Sequence, residues 1–290
     1  MSAYRFCRTD DIALLVDALN RCWAPYVPDE PPTTPAAFKR SIRDLQVWCS
    51  SCMVAFAGAD PIGVLIGAKR PSGTLVHTIA VHPDHRRQGH GRHLLTSIAS
   101  KLAILGPPRL VAEIPETLVD ARGLFRAAGY TEEARLTDYV FEQEEHDARH
   151  TLDVSSGRFV IPVTVDDLAA NGLLEGDHAS ACWERSIDTL TARKDQIAGL
   201  AVASDERIEA YALYLTPDPG SADIVALRSL VEDGRLLLKQ VLAQLRARGV
   251  RTVRFPKVHP AEISTEFLVT LGFRPAGRHL LFAATAGAAE

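Results

Sequence analysis

The sequence contains no long apolar run. No stretch approaches the roughly 18 apolar residues of a membrane-spanning helix, and no apolar segment follows a basic one near the first residues, MSAYRFCRTDD. An excess of positive charge is also missing, since 32 Lys and Arg residues stand against 36 Asp and Glu residues, a formal net charge of -4. We therefore expect a cytoplasmic protein whose main partner is neither nucleic acid nor a membrane.

Cysteine is scarce and odd in number, with five residues at Cys7, Cys22, Cys49, Cys52 and Cys182. An odd count in a large chain argues against a disulfide framework. Cys49 and Cys52 form a Cys-x-x-Cys pair, but no second pair completes a zinc set. The pattern indicates reduced thiols, buried or half-buried at a strand edge, and no metal site; a redox role is the weaker alternative.

The chain is long enough for two domains and carries an internal repeat. Its 290 residues exceed the about 100–200 of one domain, and 47% hydrophobic residues exclude a disordered chain. Three segments recur in the same order, displaced by 160, 143 and 143 positions: Cys22-Trp23 and Cys182-Trp183, Gly91-Arg92 and Gly234-Arg235, Gly129-Tyr130 and Gly272-Phe273. The repeat predicts one fold used twice, in domains 1–145 and 152–290, with a polar linker over 142–150.

Alternating and helical patterns in the first half predict an α+β order. A hairpin is expected over 52–67, a strand over 73–81, a helix from about 89 to 105 and a strand over 109–114. The strand-helix-strand step implies locally parallel strands. A helix around 118–128 and a last strand near 138–141 complete the half.

The turn between the strand at 73–81 and the following helix has the composition of an anion site. Gly89 and Gly91 allow the backbone to approach a pyrophosphate, and the helix N-terminus offers free N–H groups. Three arginines, Arg86, Arg87 and Arg92, add positive charge to an acidic chain. The alternative is a helix start that merely needs flexible residues.

The pattern Arg86-x-x-Gly89-x-Gly91, preceded by residues 79–84, resembles the acyl-CoA motif of the GNAT superfamily of N-acetyltransferases. The resemblance covers most of 4–141 and, through the repeat, extends weakly over 157–283. A dinucleotide-binding Gly-x-Gly-x-x-Gly motif is excluded because Leu94 replaces the third glycine. The resemblance implies tandem domains, each with a mixed, mostly antiparallel sheet flanked by helices.

The resemblance also implies which residues bind acetyl-CoA or another short acyl-CoA. A bulged strand would hold the pantetheine and thioester, and the turn would hold the pyrophosphate. The implied cofactor residues are Ile79, Ala80, Val81, Arg86, Arg87, Gln88, Gly89, His90, Gly91 and Arg92.

Catalysis is expected to be direct transfer of the acyl group to a primary amine of a small molecule. His77 matches a histidine that deprotonates the amine in arylalkylamine N-acetyltransferases; the alternative is a strand histidine bonded to a neighbour. Phe125 stands where the family usually has the tyrosine that acts as the general acid. Tyr130, Tyr139 or water would therefore protonate the CoA thiolate, and Phe125 would pack against the cofactor arm.

The acceptor side is expected between the first two helices, where carboxylates would suit a cationic amine. The candidate residues are Trp23, Tyr26, Asp29 and Glu30, and a plain surface loop is the alternative. The four histidines of the turn, at 82, 85, 90 and 93, are not expected to bind a metal.

The second copy is expected to bind no CoA. About seven residues are missing before Gly234, and Glu232 and Asp233 replace the glycine-rich turn. The missing tyrosine and this degenerate half leave open a non-catalytic acyl-CoA-binding or regulatory protein. A further alternative is an enzyme acting on a peptide or protein amine. We expect a monomer or a homodimer.

Overall fold

The computed structural model describes residues 2–26, 31–142, 157–174, 181–232 and 234–287. The described strands are β1 (Ser2–Phe6), β2 (Met53–Ala57), β3 (Asp60–Arg70), β4 (Gly73–Val81), β5 (Arg109–Pro115), β6 (Thr131–Glu142), β7 (Phe159–Val163), β8 (Ala198–Ala203), β9 (Ile208–Leu215), β10 (Ser221–Ser229), β11 (Thr252–Val258) and β12 (Arg274–Thr285). The described α-helices are α1 (Ile12–Cys22), α2 (Pro35–Leu45), α3 (His90–Leu105), α4 (Val119–Ala127), α5 (Val165–Ala170), α6 (Ile187–Ala192), α7 (Arg235–Ala247) and α8 (Thr265–Thr270).

The chain forms two compact units. The first comprises the described residues of Met1–Ala134 and Leu280–Glu290, and the second is Arg135–His279. Both β6 and β12 are therefore divided between the units. The predicted domain ranges 1–145 and 152–290 stay a prediction, and residues 143–150 of the predicted linker lie outside the described part of the chain.

In the first unit the strand order is β1-β2-β3-β4-β5-β12. Neighbours from β1 to β4 are antiparallel, whereas β4 and β5 are parallel and pair at Thr74–Leu110 and Leu75–Val111. The predicted parallel step is thus confirmed. Beyond Leu75, β4 continues for six residues past its described pairing with β5.

A β-bulge interrupts β4 at His77. Thr78 pairs with Ile66 and Val76 pairs with Gly67, so His77 is the extra residue on its strand. The helix α3 then packs Leu94, Ile98 and Leu102 into the core of this unit. Their spacing is that of one helical face, which is why the periodicity alone located this helix.

The second unit repeats the arrangement, with the order β6-β11-β10-β9-β8-β7. Its parallel pair is β10 with β11, at Ser221–Asp223. The strand β10 also carries a bulge, because Ile224 pairs with Tyr214 and Ala226 with Leu213, leaving Val225 as the extra residue. The predicted α+β fold class, with mostly antiparallel sheets flanked by helices in two copies, is confirmed.

The strand-to-helix turn is shorter in the second unit, but by less than expected. Residues 82–89 separate β4 from α3, and residues 230–234 separate β10 from α7. The difference is three residues rather than the predicted seven, because β10 ends at Ser229 and α7 begins only after Gly234.

Local signals account for other elements. Thr34 caps α2 through the amide of Ala37, and Pro35 is its first residue. The five cysteines are buried free thiols, and the burial predicted for Cys49 and Cys52 is confirmed. Burial raises the pKa of Cys22 to about 11.

The last strand of the first half begins at Thr131, earlier than the predicted 138. The prediction placed its start too late because the first residues of the strand are mostly exposed and polar and do not show the alternation of a strand.

Candidate functional site

The candidate site is the turn between β4 and α3. The amide of His82 donates to the carbonyl of Ile62 at 2.9 Å, which is the last contact of β4 with its hairpin partner. A short 3-10 turn (Pro83–His85) follows, and Gly89 is the N-cap of α3. The turn therefore leads directly into α3, a 16-residue helix whose first N–H groups lack intrahelical acceptors.

Two residues of this turn have left-handed backbone. The φ angle is +63° at Arg87 and +86° at Gly89. A non-glycine residue in this region is uncommon, and strain of this kind concentrates at binding sites. Turns with alternating left-handed residues expose successive N–H groups to one side and form anion-binding concavities.

The glycines of the motif have different tasks. A Cβ placed on Gly89 would meet no atom within 4 Å, so the backbone here borders open space. A Cβ on Gly91 would lie 3.0 Å from the side chain of Leu124, so this glycine permits close packing of α3 on α4. The open cradle at Gly89, with the helix N-terminus behind it, fits the pyrophosphate of an acyl-CoA.

The charged side chains of the turn differ in their partners. Arg86 forms an ion pair with Asp120 in the first turn of α4. Arg87, Gln88 and Arg92 are exposed. The turn thus presents positive charge to solvent, as the sequence predicts.

His90 is the buried member of the turn. Its Nδ1 lies 2.6 Å from the hydroxyl of Tyr4, and its Nε2 is buried with no hydrogen-bond partner in the described part of the chain. Burial, and to a smaller degree His85 and His93, lower the pKa of His90. The Tyr4 ring also stacks on His93, with centroids 3.8 Å apart. Tyr4 was not predicted to lie beside this turn, because nothing local in the sequence connects β1 to α3.

The three strand residues predicted to hold the pantetheine lie at the end of β4. Ala80 is buried, and Ile79 and Val81 are half-buried. The carbonyl of Val81 accepts a hydrogen bond from the Tyr26 hydroxyl at 2.5 Å. The structure therefore places a predicted acceptor-pocket residue directly against a predicted cofactor residue.

The remaining acceptor and catalytic candidates are placed as follows. Trp23 is half-buried, and its ring centroid lies 6.5 Å from that of Tyr26. Asp29 and Glu30 lie outside the described residues. His77 is exposed at the bulge of β4. Its catalytic role stays a prediction.

Phe125 lies in the core of the first unit. It is 2% exposed and contacts the ring of Tyr130 edge-on, with centroids 5.0 Å apart, and the ring of Phe282. Its predicted contact with the cofactor arm stays a prediction. The Tyr130 hydroxyl is buried without a partner among the described residues, and burial raises its pKa. The hydroxyl of Tyr139 instead bonds Thr265 at 2.6 Å within the second unit.

The corresponding turn of the second unit lacks these features. Gly234 has a φ of -76°, and a Cβ placed on it would collide with the Ser229 hydroxyl at 1.6 Å. Glu232 adds negative charge, and Asp233 lies outside the described residues. A cavity of about 320 Å³ adjoins this turn, lined by Leu227, Arg228, Ser229, Glu262, Ile263, Ser264 and Phe267.

Within the ranges that the structure describes, no group of three or more His, Cys, Asp or Glu side chains could hold a metal ion. In the same ranges, every helix is too short or too polar to cross a membrane.

Comparison with known proteins agrees with the fold. Residues 13–130 match the family model described as Acetyltransferase (GNAT) family. A search of curated protein sequences found no match. Among solved structures, a tandem GNAT protein from the clavulanic acid biosynthesis pathway, solved without AcCoA, is 19% identical, with a TM-score of 0.67 and 100% coverage of both chains.

Two other solved structures are similar over nearly the whole chain. A GCN5-related N-acetyltransferase from Sphaerobacter thermophilus is 15% identical, with a TM-score of 0.67 and coverage of 98% of this chain and 96% of that one. One from Kribbella flavida is 15% identical, with a TM-score of 0.65 and coverage of 98% and 71%.

The predicted resemblance is confirmed. The chain has a tandem GNAT fold, with a mixed, mostly antiparallel sheet flanked by helices in each copy. The family match covers residues 13–130, and the chain as a whole has the fold of the solved tandem GNAT protein.

Proposed function

We propose that the first unit is an acyl-CoA-dependent N-acyltransferase that moves an acetyl group from acetyl-CoA to a primary amine of a small molecule, in the cytoplasm and as a monomer or homodimer. The observation that supports this most is the cradle at Arg87 and Gly89, where two left-handed residues lead into the N-terminus of α3. The second unit, whose turn lacks that cradle, is proposed to bind no CoA.

The cofactor would be held at two places. The amides of the turn, with the side chains of Arg86, Arg87 and Arg92, would hold the pyrophosphate. The backbone of Ile79, Ala80 and Val81 would hold the pantetheine arm, at the part of β4 beyond its described pairing with β5. When bound, acetyl-CoA supplies a thioester whose acyl carbon accepts the amine.

His77 is proposed as the base that takes a proton from the amine onto an imidazole nitrogen. Its exposed position at a bulge fits this role, since a bulge re-aims a side chain away from the regular alternation of a strand. An imidazole also changes protonation near neutral pH.

The proton for the leaving thiolate cannot come from Phe125. Tyr130 keeps its proton because burial raises its pKa, and its hydroxyl has no partner among the described residues. A thiol with a pKa of about 8.5 is also a tolerable leaving group without an acid. We propose Tyr130 or water as the donor. Trp23, Tyr26, Asp29 and Glu30 remain the proposed acceptor side.

A second candidate function is non-catalytic acyl-CoA binding. The burial of Phe125 at the position of the family's acid favours it. The two functions separate in one experiment that follows acetyl-CoA binding by calorimetry and CoA-thiol release with a panel of primary amines. Tight binding without release above hydrolysis supports the binding protein.

Gly89→Glu tests the cofactor site. The carboxylate would enter the cradle and abolish acetyl-CoA binding, whereas Gly58→Glu, at another glycine with positive φ and open surroundings, should leave binding intact. Unchanged affinity of the Gly89 variant would refute the assignment.

His77→Gln tests the proposed base. It should lower kcat by about 10²–10⁴ with little change in acetyl-CoA affinity. An unaltered pH–rate profile would remove His77 from the mechanism.

A further inference from the structure

Tyr26 covers the end of the strand that is proposed to bind the cofactor. Its hydroxyl donates to the Val81 carbonyl at 2.5 Å, although the side chain as a whole is 39% exposed. The phenol comes from the short turn Ala24–Tyr26 after α1, and burial of its ring raises its pKa. The hydroxyl therefore occupies a backbone acceptor at the place proposed for the pantetheine arm.

Arg86 is engaged on two sides. Its guanidinium pairs with the carboxylate of Asp120 on α4, and it also lies over the ring of Tyr26, 5.4 Å from the centroid. Arg86, which lies in the turn between β4 and α3, thus connects the segment after α1 with α4. The half-exposed Arg86 thus links three side chains, since it contacts Tyr26 through a cation–π interaction and Asp120 through an ion pair.

We propose that Tyr26, Arg86 and Asp120 form a latch that closes the acyl-CoA site, in which Asp120 competes with the cofactor phosphates for the Arg86 guanidinium. This inference rests on the proposed function of the first unit. Asp120 then lowers the affinity for the cofactor. Tyr26 couples the turn between β4 and α3 to the end of β4, where the pantetheine arm is proposed to bind.

The energetics allow such a latch to open. Asp120 is 67% exposed and Arg86 is 37% exposed, so their ion pair is of the weak surface kind. Arg86 meets Asp120 through a single nitrogen–oxygen contact, whereas an arginine can bind a phosphate through two parallel charge-assisted hydrogen bonds. A ligand that carries phosphates and an amide-bearing arm displaces both ends of the latch, at Asp120 and at Val81. An isolated anion reaches only the Arg86 end.

Asp120→Asn tests the proposal through equilibrium binding of CoA at low ionic strength. The variant should bind CoA about two- to five-fold more tightly than the natural chain, the size expected for removing a surface ion pair. The advantage should shrink at high salt. The matched control is Asp60→Asn, which removes the same charge and another exposed ion pair, with Arg21 at 3.1 Å, but lies outside the latch.

Tyr26→Phe gives a second test, because it removes the hydroxyl from Val81 and keeps the ring beneath Arg86. It should also tighten CoA binding. Together with Asp120→Asn, the gain should be smaller than the product of the single gains, since the Tyr26 hydroxyl fixes the ring on which Arg86 lies and both substitutions loosen the same arginine. Inorganic pyrophosphate, which lacks the arm, should gain more affinity from Asp120→Asn than from Tyr26→Phe.

The outcomes are distinguishable. Equal or weaker CoA binding by Asp120→Asn, relative to Asp60→Asn, overturns the latch and leaves the cofactor site standing. If the double variant gains CoA affinity by the full product of the gains of Asp120→Asn and Tyr26→Phe, the coupling through Arg86 is overturned. Absence of CoA binding in the natural chain and in every variant overturns the proposed cofactor and the latch together.

Discussion

The hydroxyl of Tyr4 lies 2.6 Å from Nδ1 of His90, so β1 is hydrogen-bonded to the first residue of α3. The imidazole is buried directly after the turn between β4 and α3, with His85 and His93 as its ionisable neighbours. Because burial disfavours the charged ring, the pKa of His90 falls below its ordinary value of 6.5. The folded protein therefore keeps this histidine neutral.

The pH dependence of stability follows from that shift. As the pH falls below 6.5, the unfolded chain binds the proton before the folded one, so the free energy of unfolding decreases. The contribution is fully present above pH 6.5 and is lost as the pH falls toward the lowered pKa. His90→Gln should reduce this loss, as measured by urea unfolding at pH 8 and pH 5.5. Identical losses in the two proteins would contradict the prediction.

Gly89→Ala should separate backbone strain from binding. Gly89 and Gly58 both have positive φ, +86° and +63°, and a Cβ on either would meet no atom within 4 Å. Each alanine variant should lose about 1 kcal/mol of unfolding free energy, because left-handed backbone disfavours a side chain. Only Gly89→Ala should also weaken CoA binding, by about tenfold or about 1.4 kcal/mol. Equal CoA affinities in the two variants would place the cofactor elsewhere.

Two tyrosine-to-phenylalanine variants should change stability in opposite directions. Tyr130 buries a hydroxyl without a described partner, so Tyr130→Phe should raise the unfolding free energy by about 1 kcal/mol. Tyr139 bonds Thr265, so Tyr139→Phe should lower it by about 1 kcal/mol. Chemical denaturation measures both. Destabilisation by Tyr130→Phe would reveal that its hydroxyl has a partner, and slower CoA-thiol release would identify it as the proton donor.

A buried ion pair joins Arg185 and Glu262 in the second unit. Arg185 is 1% exposed and donates to both Glu262 oxygens, at 2.6 and 2.7 Å. Arg185→Met should remove about 3–5 kcal/mol of unfolding free energy, because it leaves a buried carboxylate without its partner. Arg254→Met is the control. It breaks a more exposed pair with Asp223 and should remove less than about 1 kcal/mol. Similar losses in both would show that Glu262 finds another partner.

The sequence located most elements of the first unit, because their signals are local. Thr34 followed by Pro35 predicts the start of a helix, and the capping contact is present. The predicted last strand lies within β6, but its start was placed too late because Glu132, Glu133 and Arg135 stand where alternation with apolar residues would be expected. The length of the turn in the second unit was also misjudged, since sequence alone does not tell where β10 ends.

The sequence by itself determined the repeat, the order of the elements and the glycine- and arginine-rich composition of the turn between β4 and α3, because these signals act over a few neighbouring residues. The tertiary structure alone decided which partners those residues meet. Arg86 pairs with Asp120, 34 positions away, and Tyr26 reaches Val81 across 55 positions. Such contacts depend on how β4, α4 and the segment after α1 pack, and packing is set by the whole core of the unit rather than by any one segment.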